Sequence, residues 1–266
     1  MPATTLYPVS ALLALLPAAL FSLRRDGACD ARFWLLLAVA IAGPFAWVWA
    51  QYAQGWRTGL APTLWTAVVA SLAVFAVAAA AWRAAWRLAP LLLPYLILLA
   101  LAAIVWHSAP ERPLAGSAPA TWIRLHIVFS VLTYAVLTIC AIAGLAAFLQ
   151  ERALKGKRRG TLVQLLPSLS DAEGLELRLL GVSAVILGLG VVTGMATQFF
   201  ETGMLLVFDH KTLLSLATFA VILGLLAARR RQGLRGRRAA RLVLVAYLLL
   251  TLAYPGVKFV TDVLMA

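Results

Sequence analysis

Residues 122–160 read WIRLHIVFSVLTYAVLTICAIAGLAAFLQERALKGKRRG: an apolar run carrying one charge, Arg124, followed by Arg152, Lys155, Lys157, Arg158 and Arg159. A helix rising ~1.5 Å per residue crosses ~30 Å of hydrocarbon in ~20 residues, so the run over 122–149 is long enough to span a bilayer. Seven further runs surround it, approximately 4–23, 33–52, 60–82, 88–106, 177–200, 210–228 and 242–263. Unpaired backbone in lipid is costly, and barrel strands would alternate in segments of only ~10 residues, so the expected form is helical. The fold class predicted is all-α, a polytopic membrane bundle of eight transmembrane helices forming a single domain over residues 1–266.

Charge sets the orientation. Of 23 basic residues, 18 lie in the first, third, fifth and seventh gaps: Arg24, Arg25 and Arg32; Arg83 and Arg87; the cluster from Arg152 to Arg178; and seven arginines from Arg229 to Arg241. The rest are Arg57, Arg112, Arg124, Lys211 and Lys258. The positive-inside rule then predicts a multi-pass protein of a bacterial inner membrane with both termini periplasmic. The charges of the first helix follow its apolar run, whereas a cleaved signal peptide carries them before it.

Composition narrows the function. Hydrophobic residues are 63% and charged residues 12%, which excludes soluble classes and names the lipid bilayer as the first partner. The net charge of +13 is accounted for by short loops facing anionic head groups, so no nucleic-acid partner is expected. Cys29 and Cys140 lie at different depths and form no CxxC pair, which removes a disulfide framework and dithiol chemistry. All nine tryptophans lie at or before Trp122, mostly near interfaces. Gly190 and Gly194 make a GxxxG in the sixth run, expected to serve helix packing within the chain, while Pro90, Pro94 and Pro255 should kink their helices.

Chemistry at membrane depth must come from few polar groups. None of the ten carboxylates falls near the middle of a run, which argues against proton-coupled transport. His107, His126 and His210 all fall toward the outer face, and His126, Ser130 and Tyr134 form one polar stripe at i, i+4 and i+8. A lone interfacial histidine is most simply bonded to water or backbone, but two on facing helices can ligate a haem iron axially, with neighbouring cations holding the propionates. Zinc lacks an evident third and fourth ligand.

From Leu125-His126 through Tyr134, then Asp209-His210-Lys211-Thr212, then Gly233-Leu234-Arg235-Gly236-Arg237-Arg238, the chain resembles the cytochrome c assembly membrane proteins of the CcsA, ResC and HemX type, and among them the short eight-helix inner-membrane branch of the YpjD kind. The resemblance covers roughly residues 121–263, and the first four runs in outline. It implies haem binding, with His126 at the position of an outer axial ligand. His210 stands where the family often has proline. The chain departs from the full haem-presenting pattern: residues 201–208 contain no tryptophan, and Ala227 stands near the position of an inner histidine.

The expectation is therefore a non-enzymatic haem-binding or haem-handling protein of cytochrome c-type biogenesis, with haem as cofactor. His126 and His210 are the expected axial ligands to its iron, and Arg124, Lys211 and Lys258 the expected propionate partners. Haem and other cytochrome c assembly or membrane proteins are the expected partners. The alternative is a haem-free scaffold or regulatory module that keeps the same fold. Asp209 is expected to cap the seventh helix.

Overall fold

A computed structural model describes residues 3–24, 29–53, 57–109, 112–113, 118–157, 160–234 and 236–264. The first apolar run forms two short helices, α1 (Ala3–Leu13) and α2 (Leu16–Ser22). The break falls just before Pro17, which has no N–H to return to the preceding turn. Then come α3 (Ala31–Ala53), α4 (Leu60–Ala81), a 3₁₀ turn (Ala85–Leu88) and α5 (Ala89–Val105). After these follow α6 (Ala120–Lys155), the short α7 (Thr161–Leu165), α8 (Leu169–Thr202), α9 (His210–Gln232), α10 (Arg237–Thr251) and α11 (Val257–Phe259). Among the described residues seven helical segments are long and apolar enough to cross a membrane, with a shorter apolar one at the N-terminus. The eight-span bundle read from the sequence stands, its first member being the short, broken one.

Two helices exceed their predicted lengths. The 36 residues of α6 and 34 of α8 extend about 54 and 51 Å at ~1.5 Å per residue, well beyond ~30 Å of hydrocarbon. The stretch between the runs read as 122–149 and 177–200 is therefore mostly helix, and Ser170, Asp171 and Glu173 lie in the first turns of α8. Ser168 caps that turn, its hydroxyl accepting from the Asp171 N–H at 3.2 Å. From there residues 172, 175, 176, 179, 180, 183, 184 and 187 are buried, a single i, i+3, i+4, i+7 stripe.

The stripe packs along α6, which is the centre of the molecule. Residues 133–144 of α6 are buried on every side, because α4, α8 and α10 surround them. Near the C-terminus Pro255 lies in a π-helical turn (Leu252–Gly256) between α10 and α11, which is the kink expected there.

The alternation of basic and non-basic gaps becomes two ends of one bundle. At the basic end Ser22, Arg24, Arg87 and Gln164 converge, and Arg229 meets Glu176. At the opposite end Arg57–Thr58 pairs antiparallel with Arg112–Pro113, tying together the second and fourth gaps. Arg25, Arg158, Arg159 and Arg235, singled out in the sequence, lie outside the described residues.

Candidate functional site

At the end away from the arginine-rich turns, α6, α8, α9 and the α10–α11 segment, with Tyr52, Thr58 and Thr63 from the α3–α4 side, line a cavity of 540 Å³, within the range of small-molecule and cofactor sites. Ile123, Ile127, Leu187, Val191, Leu216 and Leu250 give it apolar walls. Glu201 and Lys211 lie near the helix ends at its mouth, and Ser130 and Tyr134 lie deeper along α6. The stripe of His126, Ser130 and Tyr134 read from the sequence faces this space with all three members.

His126 is held by α8. Its Nδ1 lies 3.0 Å from the carbonyl oxygen of Gly190. A carbonyl can only accept, so Nδ1 carries the proton and donates it; in the neutral ring the lone pair is then on Nε2. The same carbonyl accepts from the Thr193 hydroxyl at 3.0 Å. Gly194 supplies the room: a Cβ there would lie 2.9 Å from His126 Cε1. The GxxxG of α8 thus serves packing within the chain, as expected, and does so by seating an imidazole. An imidazole fixed by one ring nitrogen on a backbone carbonyl, with the other left as a donor of electrons, is the usual arrangement of a metal-binding histidine.

The other expected site residues divide. Lys211 and Lys258 line the same cavity as His126. His210 and Arg124 are exposed and are not among its lining residues. The helical period gives the reason for His210. Residues 211, 212, 215 and 216 of α9 line the cavity, and at ~3.6 residues per turn position 210 falls on about the opposite side of the helix. The structure therefore does not bring the two imidazoles together. Asp209 caps α9 as expected, its Oδ1 accepting from the Thr212 N–H at 2.7 Å. His107 lies elsewhere, its ring 6.0 Å from that of Trp47.

Below the cavity, α5, α6 and α10 each send a tyrosine to one point. The Tyr134 hydroxyl lies 3.1 Å from that of Tyr95 and 3.0 Å from that of Tyr247, Tyr95 and Tyr247 also pair directly, and Thr138 donates to the Tyr247 oxygen at 3.2 Å. A closed ring of hydroxyls satisfies polar groups that would otherwise be stranded in the core. Only Tyr134 was legible from the sequence, because Tyr95 and Tyr247 stand alone in apolar runs.

At the basic end the sequence reading missed a buried ion pair. Arg229 Nη2 lies 2.6 Å from Glu176 Oε1, with side-chain exposures of 6% and 1%. Cys140 donates its thiol to the Glu176 carbonyl at 3.4 Å. Nearby, Glu173 accepts the Gly236 N–H at 2.9 Å and Glu151 accepts the Arg237 N–H at 2.8 Å, so carboxylates from α8 and α6 cap the start of α10. Gly236 permits this with φ of 66°, and a Cβ there would lie 2.8 Å from Glu151 Oε2. The signal for Glu176 was the apolar periodicity running upstream of residue 177, through Ala172 and Leu175.

A family model described as cytochrome C assembly protein matches residues 33–265. A 28.8 kDa protein from the nifR3-like 5′ region of Azospirillum brasilense is 53% identical over 265 residues, spanning 97% of each chain. Protein HemX of Brevibacillus brevis is 27% identical over 150 residues, 55% of each chain.

Proposed function

The chain belongs to the cytochrome c assembly protein family, and from that premise we propose that it is a non-enzymatic haem-binding or haem-handling protein of the bacterial inner membrane, acting in cytochrome c-type biogenesis. The observation that carries the reading is the His126–Gly190 contact, which leaves Nε2 as the electron-pair donor of a ring lining a 540 Å³ cavity.

The residues present fit haem. The apolar walls suit a macrocycle, His126 suits the iron, and Lys211 and Lys258 are cations on the same cavity that suit carboxylates. Bound haem would supply an iron able to take an axial imidazole. The chain's own contribution is to orient His126, to keep the ring nitrogen toward Gly190 protonated, and to exclude water with the leucines and isoleucines of α6, α8 and α10. His210 stands off the cavity, so the account rests on one histidine. The basic end is read as cytosolic and the cavity mouth as periplasmic.

Purification from haem-replete membranes in mild detergent, followed by absorption spectroscopy, tests this. A Soret band that co-elutes with the protein in near-stoichiometric amount is expected. Its absence, with folded protein and added haem, would overturn the reading and leave a haem-free scaffold of the same fold.

A further inference from the structure

We propose that the basic end of the bundle holds one anionic phospholipid, its phosphate gripped between Arg24 and Arg87. The two guanidinium groups come from distant parts of the chain: Arg24 follows α2, and Arg87 lies in the 3₁₀ turn before α5. Together with Ser22, Gln164, Phe33 and Trp86 they surround a cavity of 50 Å³.

Size admits a head-group phosphate. A single water needs about 10–15 Å³ of such space, so 50 Å³ has room for a tetrahedral oxyanion. Charge selects the ligand. Among the described residues no ion pair involves Arg24 or Arg87, in contrast to Arg229 and Lys155, which have carboxylate partners. The Asp30 carboxylate, close in sequence, accepts the Phe33 N–H at 3.0 Å. Arg87 is not loose: its guanidinium lies 5.4 Å from the centroid of the Trp86 ring, a cation–π contact that keeps the fork at the rim. Two arginine forks facing one small space match phosphate oxygens better than ammonium groups would.

Position decides between a lipid and free phosphate. The cavity lies where the C-terminal end of the apolar helix α2 meets the N-terminal end of α5, and is walled by aromatic rings suited to the interface. Phe33 and Trp86 meet edge to face at 6.1 Å. The α7 helix, through Gln164, closes another side. A phosphate held there by its diacylglycerol fits both the basic rim and the apolar walls, as basic pockets between membrane helices do for acidic head groups. Such a lipid would fasten the short helix α2 to α5 and α7.

Native mass spectrometry of the full chain, delipidated in detergent and titrated with phosphatidylglycerol, phosphatidylcholine or inorganic phosphate, tests the proposal. One phosphatidylglycerol per chain should persist at collision energies that strip phosphatidylcholine. Arg24→Gln with Arg87→Gln should weaken that binding at least tenfold, whereas Arg230→Gln with Arg231→Gln, the same charge loss on arginines that do not line the cavity, should change it less than twofold. Arg24→Lys with Arg87→Lys keeps the charge and the solubility, and should still bind several-fold more weakly. Undiminished binding in either Arg24/Arg87 double variant, an equal loss in the Arg230/Arg231 control, or inorganic phosphate displacing the lipid at equal concentration would overturn it.

Discussion

The ring of His126 occupies the place where Gly194 would otherwise carry a side chain, and its Nδ1 lies 3.0 Å from the carbonyl oxygen of Gly190. Two glycines one helical turn apart on α8 therefore do different jobs for one histidine of α6: Gly190 fixes which nitrogen is protonated, and Gly194 makes the space. The cavity's chemistry rests on α8 as much as on the helix that carries the imidazole.

Replacing Gly194 with valine should push the ring off its seat, because even a Cβ would lie 2.9 Å from Cε1. Outer contacts of this kind are worth about 10–100-fold in metal affinity. Haem titration followed at the Soret band should show a loss of that size, with little change in helix content by circular dichroism.

Glu176→Gln leaves Arg229 charged, buried and without its carboxylate partner. Removal of one partner of a buried pair costs about 3–5 kcal/mol, whereas exchanging both for apolar residues of similar volume is often neutral. Thermal unfolding in detergent should show Glu176→Gln strongly destabilised and the Glu176→Leu, Arg229→Met double variant close to the parent. Equal destabilisation of single and double variants would contradict a pair that acts as a unit.

The cap on α9 predicts a pH dependence. Partial burial raises the Asp209 pKa, but the hydrogen bonds from Thr212 and the charges of His210 and Lys211 outweigh it and hold the carboxyl below its usual range. A depressed folded-state pKa gives stability that is present above the unfolded value and is lost as pH falls through the folded one. Asp209→Ala should cost about 0.5–2 kcal/mol at neutral pH. The difference between variant and parent should shrink on acidification into the carboxylate range, and a constant difference down to strongly acidic pH would contradict the cap.

Sidedness can be read with the two native thiols. Cys29 is exposed beside the basic end, and Cys140 is buried. A membrane-impermeant maleimide should label Cys29 in inverted vesicles and not in intact spheroplasts, and should leave Cys140 unmodified in both. Slight burial and the charge of Asp30 push the Cys29 thiol upward against the opposing bond from Trp34, so labelling should accelerate toward alkaline pH. Labelling from the outside of spheroplasts would invert the topology.

Most of the fold was legible in the sequence because lipid leaves few choices: apolar length marks a span, and arginine marks an end. What escaped were features that depend on helices running past the membrane. Glu176 looked like a loop carboxylate because hydropathy alone starts its helix at residue 177, yet Ser168 and the buried positions Ala172 and Leu175 start it earlier. Within the site, the His126–Ser130–Tyr134 stripe was readable from i, i+4 spacing. His210 was not, since proximity in depth says nothing of direction around a helix, and a shift of one residue separates it from Lys211, which does face the cavity. The tyrosine ring of Tyr95, Tyr134 and Tyr247 needs three helices to meet, and no local pattern records that.

Single alanine variants of the two histidines, purified side by side with equal haem exposure, test the central claim most directly. His126→Ala should abolish or shift the Soret band, and His210→Ala should leave its position and intensity close to those of the parent. A band unchanged in His126→Ala, or lost only in His210→Ala, would contradict the account.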